Sequence, residues 1–246
     1  MDKYGLIGYP LGHSFSISYF NQKFADENID AVYENFEIPT IDDFMEVVET
    51  NPELKGLNVT IPYKEKVIPY IDILSPEARA IGAVNVIKIE RSEKRILLKG
   101  YNSDLIGFTQ SIQPMIEKDH KKALILGTGG ASKAIQYGLK SLGLETLFVS
   151  RYDRPGTIQY KDVTPDVVKE YNVIVNCTPC GMYPHTDECP ELPYEAMDSK
   201  TILYDLIYNP DTTLFMKKGE EYGAQTKNGL EMLLLQAFAS WDFWKK

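Results

Sequence analysis

The stretch ALILGTGGASKA (123–134) sets three glycines between an apolar strand and a helical pattern. Glycines at such a turn let backbone N–H groups approach a pyrophosphate, and the positive end of the following helix attracts it. An ordinary strand-to-helix turn is the plain alternative; the flanking strand and helix favour the nucleotide. The next strand ends at Ser150-Arg151, where a dinucleotide fold meets the adenosine ribose. A carboxylate there suits a free 2′-hydroxyl, whereas Arg151, with Arg154 and Lys133 as helpers, suits a 2′-phosphate. Taken alone, Arg151 is equally a solvated charge. Cys177, Cys180, His185 and Cys189 have the chemistry of metal ligands, but no second tight Cys pair exists and Pro179 and Gly181 mark a loop. No metal or redox role is assigned to them. Ser14 and Ser16 flank Phe15, so in an extended segment both hydroxyls point the same way, towards an anion or polyol; helix capping serves the same pair better. Lys64 follows a strand end and reads as a solvated charge, and Asp104 reads as a helix N-cap. Spacing alone gives neither a catalytic role.

The elements that must hold these residues alternate between strand and helix. Residues 3–9, 31–38 and 57–61 read as strands, and 40–50 as a helix capped by Thr40. A short helix is expected after Pro62, and two strands joined by a charged turn at 91–94 are expected within 83–99. A connecting helix over 104–118 leads into the glycine turn. Further strands follow at ETLFVSR, YNVIVNCTP and KTILYDLIYNP. Such alternation favours parallel sheets with crossovers. The last helix runs from Asn228 to about Trp244. Its stripe of Leu230, Leu233, Leu234, Ala237, Phe238 and Trp241 is expected to pack, with Met232 and Gln236 on another side.

Composition narrows the function classes. The 246 residues carry 26 Lys+Arg against 35 Asp+Glu, a net charge of −9. That balance argues against binding nucleic acid, which needs a basic face. No apolar run reaches the ~20 residues that span a bilayer, and MDKYGLIGYPLGHS has Gly and Pro where a signal peptide carries an apolar core. Three cysteines fit reduced thiols, so a cytoplasmic protein is expected.

Eight fragments, in order, carry a resemblance along nearly the whole chain. They are GYPLGHSFS (8–16), GLNVTIPYK (56–64), GAVN (82–85), YNSD (101–104), GTGGA (127–131), NCTPCGM (176–182), DLIYNP (205–210) and GLEMLLLQA (229–237). Together they resemble the shikimate dehydrogenase family. The resemblance implies a two-domain α/β enzyme that reduces 3-dehydroshikimate to shikimate with NADPH in aromatic amino-acid and chorismate biosynthesis. An α/β substrate domain (1–102 with 226–246) completed by the C-terminal helix and a Rossmann-like, doubly wound parallel-sheet cofactor domain (103–225) are implied. Lys64 and Asp104 become the catalytic pair. Ser14, Ser16, Thr60, Asn85 and Gln236 fall at substrate-binding positions, with Asn58 and Tyr208 as neighbours. Gly127, Gly129, Gly130, Ala131, Arg151 and Arg154 fall at dinucleotide positions, and Thr178, Gly229 and Met232 where the family flanks the nicotinamide. The implied partner is a small-molecule substrate, with no nucleic acid, membrane or metal, and the protein is a monomer or homodimer.

Departures from the family pattern are local. Ile17 stands for a Pro, Ser103 for a Thr and Leu105 for a Gly. The family's N-R-T-x-x-R cofactor signature becomes SRYDRP (150–155), with the second Arg displaced and Asp153 added beside it. An NAD-preferring quinate/shikimate dehydrogenase is therefore the alternative within the class, and a non-catalytic ligand sensor the alternative outside it. Residues 151–172 leave room for a single helix, with Pro155-Gly156 replacing another by a loop.

Overall fold

The computed structural model describes residues 1–12 and 14–246; His13, within the first of the family-like fragments, lies outside them. The chain divides into two compact units, Met1–Ser103 with Ala237–Lys246, and Asp104–Gln236. The first contains β1 (Asp2–Gly8), α1 (Phe15–Asp26), β2 (Ala31–Glu37), α2 (Phe44–Thr50), β3 (Leu54–Val59), β4 (Ile73–Leu74), α3 (Pro76–Ile81), β5 (Val86–Arg91) and β6 (Ile96–Tyr101). The second contains α4 (Ser103–Ile112, begun on the boundary residue), β7 (Lys122–Leu126), α5 (Gly130–Ser141), β8 (Glu145–Ser150), β9 (Thr157–Gln159), α6 (Pro165–Glu170), β10 (Val173–Asn176), β11 (Ile202–Asp205), α7 (Leu214–Glu220) and β12 (Gln225–Lys227). The last helix, α8 (Leu230–Lys245), crosses the division between Gln236 and Ala237. The sequence reading assigns all of 226–246 to the first unit.

The first unit is a mixed sheet in the order β2-β1-β3-β5-β6-β4. Strands β2, β1 and β3 are parallel, and β3, β5 and β6 antiparallel. Side chains alternate across it, as the two-residue period of a strand requires. Ile7, Leu57, Val59, Ile87 and Ile89 meet Phe44 and Val48 of α2. Tyr4, Tyr33 and Val86 face the other way, onto Phe20 and Phe24 of α1 and Trp241 and Trp244 of α8. Gly56 is required on that second face: a Cβ there would lie 2.4 Å from the Trp244 ring. Trp244 Nε1 donates to Ile87 O at 3.0 Å, so the end of the chain is sealed onto the sheet.

The second unit is a wholly parallel sheet in the order β12-β11-β10-β7-β8-β9. Chain order reverses between β7 and β10, and a doubly wound sheet binds its ligand outside the carboxyl ends of the strands at such a switch point. Both faces are buried, which explains the nearly continuous apolar strands. Ala123, Ile125, Val173, Val175, Ile202 and Tyr204 pack with Phe108, Ile135 and Met232; Leu124, Leu126, Ile174 and Leu203 pack with Val168 and Phe215.

Four local expectations are corrected. After Pro62 the chain forms turns, and only a short 3₁₀ segment at Ile68–Tyr70. Helix cannot propagate there because Val84 N takes the Lys64 carbonyl at 2.7 Å and Tyr63 Oη is anchored to Ile38 O at 2.5 Å. Between 151 and 172 there is a three-residue strand, β9, before the single helix α6. Asp104 lies inside the first turn of α4 rather than at its N-cap. On α8, Leu230 and Phe238 are exposed while Met232 is buried. One helix serving two cores cannot be described by a single stripe. Its first half meets the second unit and its last half the first.

Candidate active site

In the first unit the candidate polar residues gather at the carboxyl ends of β1 and β3. Ser14 is the N-cap residue of α1 but makes no capping bond, and Ser16 lies in its first turn, beside the Tyr33 hydroxyl. The serine pair is therefore not spent on capping. Thr60 is tied by its N–H to Ile7 O at 2.9 Å, and its methyl lies where a Cβ on Gly8 would stand, at 2.5 Å. Asn58 and Asn85 are joined directly: Asn58 Nδ2 donates to Asn85 O at 3.3 Å, and Val59 N to the same carbonyl at 2.9 Å. The Lys64 backbone is pinned by Val84 next to Asn85, and the side chain is half-buried. Asn102 Nδ2 donates to Ala83 O at 3.0 Å, fastening the YNSD segment to GAVN.

In the second unit, Asp104 is buried at the start of α4, and Gly107 sits one turn beyond it. A Cβ on Gly107 would stand 2.5 Å from Met232 O and 2.7 Å from Gln236 Cγ. Helices α4 and α8 thus touch backbone to backbone at this glycine. Residues three apart share a helix face, so the crossing brings the Asp104 and Gln236 positions to one place. Ser111 reinforces it by donating to Glu231 Oε2 at 2.9 Å, while Lys227 pairs with Glu231 and donates to Ser111 O at 2.7 Å. Met232 is mostly core rather than an open-face residue. Gly229 is held against Leu206, where a Cβ would meet the carbonyl oxygen at 2.1 Å. Tyr208 is exposed in the loop after β11.

The glycine turn follows β7 at the switch point. Gly127 has φ +96°, a left-handed conformation that favours glycine, and a Cβ there would approach Thr178 Cγ2 at 2.8 Å. Nothing lies within 4 Å of the Cβ positions of Gly129 and Gly130, so the mouth of the turn is open. Gly129 caps α5, Gly130 and Ala131 begin it, and its first turn carries no acid. Arg151 and Arg154 are exposed beyond β8, and Arg154 Nη1 donates to Thr128 Oγ1 at 3.1 Å. The displaced second arginine therefore returns to the glycine turn. Arg151 and Thr178 line one cavity of about 680 Å³ with Tyr160, Cys180, Met182 and Tyr183. An open helix N-terminus with Arg154 tied to its turn, and Arg151 lining a cavity with the neighbouring Thr178, fits a dinucleotide with a 2′-phosphate.

The loop holding Thr178 is ordered by residues that the sequence reading does not single out. Asn176 Oδ1 accepts from Thr178 N at 3.0 Å and from Thr178 Oγ1 at 2.7 Å, while Asn176 Nδ2 donates to Asp205 Oδ1 at 3.1 Å. Both lie inside quoted fragments, NCTPCGM and DLIYNP, but a polar residue ending an apolar strand reads first as a strand stop. Cys177 is pushed well above the ordinary thiol range by burial and then by the Asp205 charge, the reverse of an activated thiol. Among the described residues no three His, Cys, Asp or Glu side chains are grouped to hold a metal ion, and no helix is long and apolar enough to cross a membrane.

Comparison with known proteins gives the family. A family model described as the shikimate dehydrogenase substrate binding domain matches residues 6–87. The shikimate dehydrogenase (NADP(+)) of Caldicellulosiruptor saccharolyticus is 36% identical over 261 residues, covering 99% of this chain and 92% of that protein. A crystal structure of a shikimate dehydrogenase in complex with NADP+ is 30% identical, with a TM-score of 0.86 over 99% of this chain and 89% of its own. The shikimate 5-dehydrogenase of Thermus thermophilus, solved with NADP(H) and shikimate, is 28% identical, with a TM-score of 0.84 over 99% and 93%. Similarity on that scale takes in both units, and the chain belongs to the shikimate dehydrogenase family.

Proposed function

We propose that the protein catalyses the NADP-dependent, reversible reduction of 3-dehydroshikimate to shikimate in chorismate and aromatic amino-acid biosynthesis. The observation that carries this is similarity to an NADP-dependent shikimate dehydrogenase over 99% of the chain. The glycine turn at the switch point, with Arg151 and Arg154 beside it, supports the cofactor. In this reading the N–H groups of residues 129–131 hold the pyrophosphate and the two arginines the 2′-phosphate. Thr178, Gly229 and Met232 flank the nicotinamide. When bound, NADPH supplies the hydride.

The chain supplies the proton and the geometry. Lys64 Nζ, as ammonium, stabilises the negative charge growing on the ring ketone oxygen and hands it a proton; in the reverse direction the amine takes the proton back. Asp104, buried at the start of α4, is the catalytic carboxylate in this reading. Ser14, Ser16, Thr60, Asn85 and Gln236, with Asn58 and Tyr208 as neighbours, bind the carboxylate and hydroxyls. Neutral donors of this kind suit a small polyhydroxylated acid, since a site built for a hydroxyl discriminates strongly against analogues that lack it. We assign the protein to the cytoplasm, in keeping with its three free cysteines, as a monomer or homodimer.

Initial rates with shikimate and with quinate, each with NADP+ and with NAD+, test the assignment. Shikimate with NADP+ is expected to give the highest kcat/KM. A highest value for quinate with NAD+ overturns it.

A further inference from the structure

Asn58, a substrate neighbour in the family reading, is the hub of a hydrogen-bond chain inside the first unit. Its Nδ2 donates to Ser240 Oγ at 2.9 Å and to Asn85 O at 3.3 Å; its Oδ1 accepts from Tyr33 Oη at 2.9 Å. A main-chain carbonyl only accepts, so the contact with Asn85 O leaves no choice about which way the Asn58 amide points. Tyr33 must then donate its one proton to Asn58. Burial raises the Tyr33 hydroxyl far above its ordinary range, so it stays protonated and a donor. Its ring is stacked on Phe20 at 4.8 Å between centroids, which fixes where the hydroxyl oxygen sits, and Asn58 Oδ1 is the acceptor that directs its proton.

The chain continues from Ser240 to Asn85. Ser240 Oγ lies 3.3 Å from Ser103 Oγ, which accepts from Asn85 Nδ2 at 3.0 Å. Ser103 N donates to Asn85 Oδ1 at 2.6 Å, and because a backbone N–H only donates, the Asn85 amide is oriented without ambiguity too. The two asparagines end up unequal. Both amide hydrogens of Asn58 are used within the chain, whereas Asn85 spends one on Ser103 and keeps the other for a ligand.

We propose that Tyr33 and Ser240 are positioning residues of the substrate site. They lock Asn58 as a strut and, through Ser103, aim the Asn85 amide at a hydroxyl of the bound shikimate. Ser240 is brought to the sheet by the last helix, so the return of α8 to the first unit also completes this chain. The inference rests on the proposed activity and adds to it which residues orient the substrate donors.

Tyr33→Phe and Ser240→Ala test it, with kcat and KM measured for shikimate and for NADP+ beside the thermal midpoint. Tyr33→Phe keeps the stacked ring and removes only the hydroxyl. Each variant is expected to raise the KM for shikimate about tenfold, equivalent to ~1.4 kcal/mol, and to leave the KM for NADP+ within about twofold. A lowered thermal midpoint with an unchanged KM for shikimate in Tyr33→Phe would show a merely structural role and overturn the proposal. If Ser240→Ala does not fold, Tyr33→Phe alone decides. Wild-type protein with no turnover of shikimate overturns the activity and this inference together; active wild type with indifferent variants overturns this inference alone.

Discussion

Asp205 ends β11 with none of its surface exposed. It is held by neutral donors: Thr213 Oγ1 at 2.7 Å, Ile207 N at 3.1 Å and Asn176 Nδ2 at 3.1 Å. Burial pushes its carboxyl up from the ordinary 3.8 to about 6, and the three hydrogen bonds pull back only part of that rise. Such a displacement corresponds to ~3 kcal/mol at 1.36 kcal/mol per pH unit. The folded protein keeps this proton to about pH 6, whereas the unfolded chain releases it near 3.8. Between those values the folded state binds more protons, so stability falls as pH rises. The contribution is complete below the unfolded value and lost through the folded one. Asp205→Asn cannot titrate there. Its constant loss of hydrogen-bond strength, ~1–3 kcal/mol, is the same at every pH and drops out of the comparison. Urea unfolding of both proteins, followed by circular dichroism from about pH 3 to about pH 7, reads the remainder. The difference in unfolding free energy should move by ~3 kcal/mol in favour of the variant as pH rises. Parallel curves would refute the reasoning and place the Asp205 proton elsewhere. Asp205 also orients Asn176, whose Nδ2 donates to it at 3.1 Å and to Cys180 O at 3.4 Å. The amide oxygen is thereby left to hold both donors of Thr178.

Three further outcomes follow from the same geometry. Gly107→Ala should destabilise the second unit by ~1–3 kcal/mol and lower kcat/KM for shikimate, because backbone and the Gln236 side chain both block the added methyl; unfolding titrations and steady-state rates check it, and an unchanged protein removes the proposed helix contact. Arg154→Ala and Arg151→Ala should each raise the KM for NADP+ about tenfold or more and leave that for NAD+ nearly unchanged, as expected for loss of a charge-assisted phosphate contact; parallel changes with both cofactors would reject the phosphate role. Lys64→Ala should lower kcat by about 10²–10⁴-fold while the Kd for shikimate changes far less, and equal losses in both would leave Lys64 as a binding residue only.

Most of the architecture was legible because it follows from periodicity. The apolar runs at 123–126, 173–176 and 202–205 are strands buried on both faces, and the glycine turn could be placed from its neighbours. Strands β9 and β12 escaped because three residues are too few to display a period, and QTK carries no apolar signal. The single-helix reading of 151–172 was right about the economy and missed the strand. Tyr33 reads as an alternating core residue in AVYENFEI, and its hydroxyl acquires a role only through Asn58 and the stacked Phe20. Asn58 and Ser240 are 182 residues apart, beyond the reach of any local pattern. The misread face of α8 has a similar origin, since the helix answers to two cores that the sequence presents as one stripe.

The charge of −9 bears on how such a protein receives anions. Its global field repels both shikimate and NADP, so attraction must be local, and the two units achieve it differently. On the proposed reading, it comes in the second unit from backbone N–H groups at the start of α5 and from Arg151 and Arg154. Guanidinium groups at the surface are screened by salt within ~10 Å at 0.1 M ionic strength. On the same reading, it comes in the first unit, apart from Lys64, from neutral hydroxyls and amides whose orientation is set by hydrogen bonds inside that unit. Fixed dipoles of that kind act at contact distance, and salt screens them little. Cofactor affinity should therefore weaken with ionic strength much more steeply than affinity for shikimate. Titrating both KM values from low to high salt separates the two modes, and equal slopes would show that a charged group, not the aligned asparagines and serines, captures the substrate carboxylate.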